Sequence, residues 1–459
     1  MKGTGSPVKQ FFGFLFALTL LLLVSCRPES DPPAAGPATN PSITGESSPQ
    51  VEEASPTSAE VTKVTEQASP TSEVASPTAP NTPTIPPTDM PATDLATATA
   101  SPTLGSKRLP FDSPEYGIQA FLWWDMNHIK YDLRAINEMD FGWVKQSFAW
   151  RDIEGIEKGK YDWYRPDEIV RRVNEVGLKL LVRIDRQPFW SQETDWPPLE
   201  NAPPADLQDF GDFCGLLGER YKGRIDAYQI WNEPNLSREW GDEPPDPEEY
   251  TELLKICYQA IKKADPDAIV ISAGLAPTGT GLPLAMPDEE FLQAMYDVGA
   301  AEYFDVLGLN APGYKAPPEV TPEEAETNPE YGGGRWFAFR HVEDMRAIME
   351  ANGDAHKQAA ILELGWTTDT NNPEYAWHAV TEEQQAEYLV RAYQYAKDNW
   401  RPWIGPIFTI YLADVEWTPE ENEQWWWAIN FPDGTRRPAF DALRDMDKSG
   451  GEASGTEVS

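Results

Sequence analysis

The chain has 459 residues and carries 75 acidic against 37 basic side chains, a formal net charge of −38 at pH 7. That balance excludes a simple nucleic-acid binder, which needs a basic footprint, and weighs against polyanionic substrates, which an acidic surface repels. Three cysteines are too few for a disulfide framework, and four scattered histidines without HExxH or CxxC offer no metal-ligand spacing, so neither metal nor cofactor is expected.

In chain order, residues 1–26 read as a secretory signal: Lys2 and Lys9 precede an apolar run from Phe11 to Val24, shorter than the ~20 residues that span a bilayer. Leu23-Val24-Ser25-Cys26 resembles the bacterial lipobox, which implies a lipidated Cys26, a membrane anchor and an extracytoplasmic location. From 27 to 108 Pro, Thr, Ser and Ala dominate. Such a segment buries too little apolar surface to offset its ordering entropy and is expected to be a disordered, semi-extended linker. Residues 109–446 form the expected catalytic domain, and the Gly/Ser/Glu-rich 447–459 a flexible tail.

Within 109–446, short apolar runs alternate with amphipathic segments, the βαβα signature of a parallel sheet. Strands are expected over 116–122, 143–148, 179–184, 225–231, 268–272, 304–309, 359–364 and 404–411. Helix punctuation falls between them. Pro166 and Gly177 bracket 166–176, and Glu248 with Glu249 opens and Lys262 with Lys263 closes 247–263. Thr381 caps the segment leading into 386–399. Eight strands with helices in this length point to an α/β (β/α)8 TIM barrel, with an open doubly wound sheet as runner-up. Cys214 and Cys257 could pair in an oxidising compartment, but each lies on an apolar helix stripe, and buried core thiols are the favoured expectation.

Two carboxylates stand at expected strand ends. Gln229-Ile230-Trp231-Asn232-Glu233-Pro234-Asn235 closes the fourth strand and turns Asn232 and Glu233 toward the mouth of the barrel. A desolvated carboxyl there gains the raised pKa that a general acid needs; the structural alternative is a helix-capping or loop charge. Ile361-Leu362-Glu363-Leu364-Gly365-Trp366 puts a charge inside an apolar strand, which is costly unless the group is functional or paired, here with a basic barrel residue such as Lys145 or Arg183. Strands four and seven face each other across a barrel mouth. Cleavage of a glycosidic bond with retention uses two such groups, one as acid/base and one as nucleophile.

With these motifs the chain resembles the clan A retaining glycoside hydrolases, which include families 5 and 39 and the cellulase and β-xylosidase types. The match is carried by WNEPN at 231–235, LELGW at 362–366, Phe148-Ala149-Trp150-Arg151-Asp152-Ile153-Glu154 with Gly159-Lys160-Tyr161-Asp162-Trp163, Gly177-Leu178-Lys179, Pro188-Phe189-Trp190 and Arg437-Pro438-Ala439-Phe440. The resemblance implies Glu233 as acid/base, Glu363 as nucleophile, Asn232 as a hydrogen-bond partner of the sugar 2-OH, and a neutral, β-linked carbohydrate as substrate. Two positions depart from the pattern: Lys145 stands where many relatives have Arg, and Asn310 followed by Tyr314 where many have His and Tyr. Of 18 tryptophans, many fall in strand-end loops. Trp366 and Trp417 are the expected sugar platforms, with Trp150 and Tyr314 as further binding residues and Tyr314 beside the nucleophile. A non-catalytic glycan-binding barrel and a transglycosylase are the competing readings.

Overall fold

The computed structural model describes residues 109–192 and 199–449. The expected signal, Cys26, the linker and residues 450–459 lie outside the described residues. Among the described residues no helix is long and apolar enough to cross a membrane.

Eight parallel strands close into one barrel, β1 pairing with β8, and the open doubly wound alternative is thereby excluded. They are β1 Glu115–Gln119, β2 Trp143–Ala149, β3 Lys179–Asp185, β4 Ala227–Ile230, β5 Ile269–Ile271, β6 Val306–Pro312, β7 Gln358–Gly365 and β8 Ile404–Thr409. All eight expected strands are present. β4 stops one residue early because Trp231 turns into the left-handed region at φ 70°, where a strand cannot continue. The helix expected over 166–176 spans Tyr164–Glu175. The last long helix, Glu382–Asn399, begins directly after Thr381, whose side chain forms a capping box with Gln384.

Side chains alternate across each strand, and this alternation builds two cores. Trp143, Leu181, Ala227, Ile271, Val306, Ala360, Leu362 and Phe408 fill the barrel, with Phe111 beneath them. Val144, Phe148, Leu180, Val182, Ile184, Ile361, Leu364 and Ile407 point outward and pack against the helices. One step toward the C-terminal ends, the inward residues turn polar: Lys145 follows Trp143, Arg183 follows Leu181 and Gln229 follows Ala227. The apolar layer is the floor, and the polar layer is where chemistry can be placed.

The cysteine expectation is corrected. Cys214 and Cys257 are both fully buried, as their stripes required, but they are bonded to each other with an S–S distance of 1.96 Å. The two stripes face one another because Gly211, Gly215 and Gly218 let helix Leu207–Arg220 approach helix Pro247–Ala264. A β-carbon at Gly211 would fall 2.3 Å from Ile256 Cγ2.

Candidate active site

Glu233 sits two residues beyond Trp231 and is itself left-handed, at φ 40°. Two non-glycine residues in this region within three positions mark a loop held by its surroundings, as functional loops often are. The clamps are visible. The Glu233 amide donates to Gly274 O (3.2 Å), and the buried Asn235 donates to Ala276 O (2.9 Å) and accepts from Ala276 N (2.9 Å). The loop after β4 is thereby pinned to the loop after β5. Trp231 packs edge-on against Phe210 and Trp240, and its indole donates to Glu239 O.

Strict alternation along β7 would turn Glu363 outward, since Leu362 faces the barrel interior. The register prevents this. Leu309 pairs with Ile361 but Asn310 pairs with Glu363, and on the other side Ile361 pairs with Ile407 and Leu364 with Thr409. Leu362 is therefore one residue too many against both neighbours, the effect of a bulge. Leu362 and Glu363 both face inward, and the outward sequence resumes at Leu364.

The two carboxylates live in different surroundings although each side chain is 14% exposed. Glu363 Oε1 lies 3.3 Å from Lys145 Nζ and 3.6 Å from Arg183 Nη1, so two buried cations compensate its charge. Burial pulls the Lys145 ammonium down to about 8, against the raising effect of Glu363. Glu233 Oε1 accepts from Asn310 Nδ2 (2.9 Å), and its Oε2 lies 3.4 Å from Arg238 Nη2. Burial first and the Glu363 charge second raise the Glu233 carboxyl, with Arg238, Asn310 and Arg183 opposing them. The pair is thus divided into one acid disposed to hold a proton and one compensated carboxylate, the division that acid–nucleophile chemistry requires. Arg183 also donates to Asn232 Oδ1 (3.1 Å) and pairs with Asp185 (2.8 Å). Asn232 is held in place with its NH2 group left to donate.

The structure brings Glu233, Glu363, Asn232, Asn310 and Lys145 together, and it redistributes the remaining expected residues. Trp366 and Trp150 are both fully buried and present no face to a sugar. Each continues the outward alternation of its strand, Trp366 after Leu364 and Trp150 after Phe148. Trp366 donates to Ala316 O with its indole lying against Gly313, and Trp150 donates to Glu154 amid Phe210, Phe213 and Trp190. Tyr314 lies within reach of the Glu233 charge: its hydroxyl donates to Pro277 O, and burial first, then the charges of Glu233 and Asp288, raise it. The tyrosine beside Glu363 is Tyr411, raised by burial and by the Glu363 charge. Trp417 remains partly exposed at the rim, edge-on to Phe121 and Tyr411.

Four site residues escape sequence reasoning: Arg238, Glu239, Tyr411 and Glu423. Burial pushes Glu239 up to about 7, with help from Glu233, and burial also pushes Glu423 up to about 7. The only sequence signal for Arg238 and Glu239 is their place a few residues past WNEPN.

Glu289, His341 and Asp344 form a group with the spacing of metal ligands, but both ring nitrogens of His341 are occupied, by Asp288 and Asp344, each at 3.0 Å. Arg335 also donates to Asp344. The group is an ion-pair network.

Solved structures share this architecture. A family 39 glycoside hydrolase from the gut symbiont Bacteroides cellulosilyticus WH2 superposes with a TM-score of 0.54 at 20% identity, over 74% of this chain and 64% of that one. The barrel resembles those of glycoside hydrolases. GH5_18 from Streptomyces cattleya, in complex with GlcNAc, gives a TM-score of 0.52 at 15% identity, covering 73% of this chain and 79% of that one. A monomeric beta-xylosidase from Caulobacter crescentus CB15 gives 0.50 at 18%, covering 73% and 69%. At these identities the likeness is one of fold, and the chain spans less than two thirds of the family 39 structure. No family model matches the sequence, and no curated protein matches it.

Proposed function

We propose that this protein hydrolyses β-linked O-glycosidic bonds in neutral oligo- or polysaccharides with retention of configuration. The observation that carries the reading is the asymmetry of the pair at the mouth: Glu233 buried beside a like charge, and Glu363 compensated by Lys145 and Arg183. In the first step the Glu233 carboxyl gives its proton to the leaving oxygen while the Glu363 carboxylate attacks the anomeric carbon, forming a glycosyl ester. In the second, Glu233, now ionised, takes a proton from water as the water oxygen attacks that carbon and releases Glu363. Asn232, oriented by Arg183, donates to the sugar 2-OH, and Trp417 offers a rim contact.

The same reading has the enzyme work outside the cytoplasm on a lipid anchor at Cys26, tethered by residues 27–108. It is supported by the apolar run before Cys26 and by the Cys214–Cys257 bond, which suits an oxidising compartment. A labelled fatty acid should enter the full chain and not Cys26→Ser.

The catalytic reading is tested with aryl β-glycosides and neutral polysaccharides. Glu233→Gln and Glu363→Gln should each lose at least about 1000-fold in kcat, and azide should rescue Glu363→Gly as a glycosyl azide of inverted configuration. Unimpaired cleavage by both Gln variants would overturn the assignment.

A further inference from the structure

Arg238 lies in the short turn Ser237–Glu239 after β4, and the reaction as proposed gives it no role. It stands beside the acid/base on the side away from Asn310: Nη2 is 3.4 Å from Glu233 Oε2, and Nε is 4.0 Å from Glu239 Oε1. Its side chain is 63% exposed, whereas those of Glu233 and Glu239 are 14% and 15% exposed. Glu239 is fixed from behind, accepting from Asn201 Nδ2 at 2.9 Å. From the loop after β8, Glu423 contributes a further carboxylate acting on Arg238. One half-exposed cation therefore sits among three carboxylates, one of which must change its charge twice in each turnover.

Resting on the proposed mechanism, we infer that Arg238 is a positioning residue, a counter-ion shared between Glu233 and the pair Glu239 and Glu423. While Glu233 holds its proton, the guanidinium is balanced by Glu239 and Glu423. When Glu233 has delivered that proton to the leaving oxygen, the guanidinium balances the new carboxylate until water returns a proton. The cation sets how readily Glu233 gives up its proton, and Glu239 sets how much of the cation Glu233 receives. The other groups acting on this cluster are Glu363 from β7, Arg183 and Lys145 from β3 and β2, Arg186 beyond β3, Tyr314 after β6, Glu374 after β7 and Tyr411 after β8. None of these bridges Glu233 and Glu239 by an ion pair as Arg238 does.

The arrangement demands shifts of opposite sign. In Arg238→Met the Glu233 carboxylate loses its counter-ion, so its titration midpoint, and with it the alkaline limb of kcat/KM, moves up by about 0.5–1 pH unit. In Glu239→Gln the cation is released toward Glu233 and a like charge is removed, so both move down by a similar amount. Arg238→Lys retains a cation and stays near the parent. Full-length protein carrying 13C-carboxyl glutamate, with Glu233→Gln to assign the resonance, gives the midpoint by NMR without turnover, and the pH–rate profile gives the limb. General loosening of the loop would move both substitutions the same way, and that result, or no shift in Arg238→Met, overturns the inference. The outcomes separate the two claims: turnover unaffected by Glu233→Gln defeats the catalytic reading, whereas shifts lacking opposite sign in an enzyme that needs Glu233 defeat only the role of Arg238.

Discussion

Lys145 is the residue where stability and chemistry pull apart most clearly. Its side chain is 1% exposed, and Nζ donates to Leu362 O at 3.0 Å besides facing Glu363. Burial brings the ammonium from 10.5 to about 8. A lysine depressed in this way binds its proton more weakly folded than unfolded, so it lowers stability wherever it is charged, below about pH 8, and the deficit is recovered as pH rises from 8 toward 10.5. At roughly 1.4 kcal/mol per pH unit, keeping the charge at pH 7 costs on the order of 3 kcal/mol. Lys145→Met removes that cost. It also takes a donor from the Leu362 carbonyl, about 1–3 kcal/mol, and leaves Glu363 with Arg183 alone. The terms nearly cancel, so calorimetry at pH 7 should find the variant within about 2 kcal/mol of the parent, a shift of a few degrees in Tm. Turnover should not survive so well. Removing one compensating charge from a desolvated site typically costs on the order of 100-fold in kcat/KM. A variant several kcal/mol less stable whose folded fraction turns over like the parent would refute the reasoning.

Three further outcomes follow from the geometry. A β-carbon at Gly274 would fall 2.1 Å from Asn310 Oδ1, so Gly274→Ala should displace Asn310 from Glu233 and lower kcat/KM by about tenfold or more, visible in steady-state rates. His341 is raised to about 10 by its bonds to Asp288 and Asp344, although burial alone would lower it. Its contribution is complete below about pH 6.5 and is lost as pH rises through 10, so chemical denaturation should show declining stability across that window, by at most roughly 5 kcal/mol. The Cys214–Cys257 bond closes a 43-residue separation. Cys214→Ser with Cys257→Ser should therefore lower the unfolding free energy by about 4 kcal/mol on a chain-entropy estimate, with the folded active site unchanged.

The barrel was legible because each strand is an apolar run bounded by punctuation, and the two carboxylate candidates were legible as a pair, Glu363 because a charge inside an apolar strand is costly and Glu233 because WNEPN ends the strand across the mouth. What was lost concerns facing and distance. Trp366 and Trp150 stand close to the site in sequence, yet side-chain alternation carries both to the outer core, and proximity to a motif does not report that. Cys214 and Cys257 were correctly placed on buried stripes, but that the stripes face each other is a property of two helices whose cysteines stand 43 residues apart in sequence. Arg238, Glu239, Tyr411 and Glu423 belong to loops whose paths are set by contacts with other loops, and no local period marks them. Lys145 and Arg183 appeared as structural partners of Glu363. They are its partners, and pairing of this kind is also what the role proposed for Glu363 would need, so the structural and functional readings of that residue describe the same contacts.

The extra residue in β7 bears on how this barrel could be rebuilt. Pairing of β6 and β7 made perfectly regular at unchanged strand length would improve the ladder and suit any procedure that rewards ideal backbone geometry. Such a change would also turn Glu363 through the sheet to face the helices, putting a carboxylate into oil and a leucine into the mouth. The irregularity is thus a heritable address for one side chain, written in strand length and not in residue identity. Deleting a single residue between Ala359 and Leu362 would instead let a regular ladder keep Glu363 opposite Asn310 and turn Leu362 outward, so strand length and bulge together decide where the carboxylate faces.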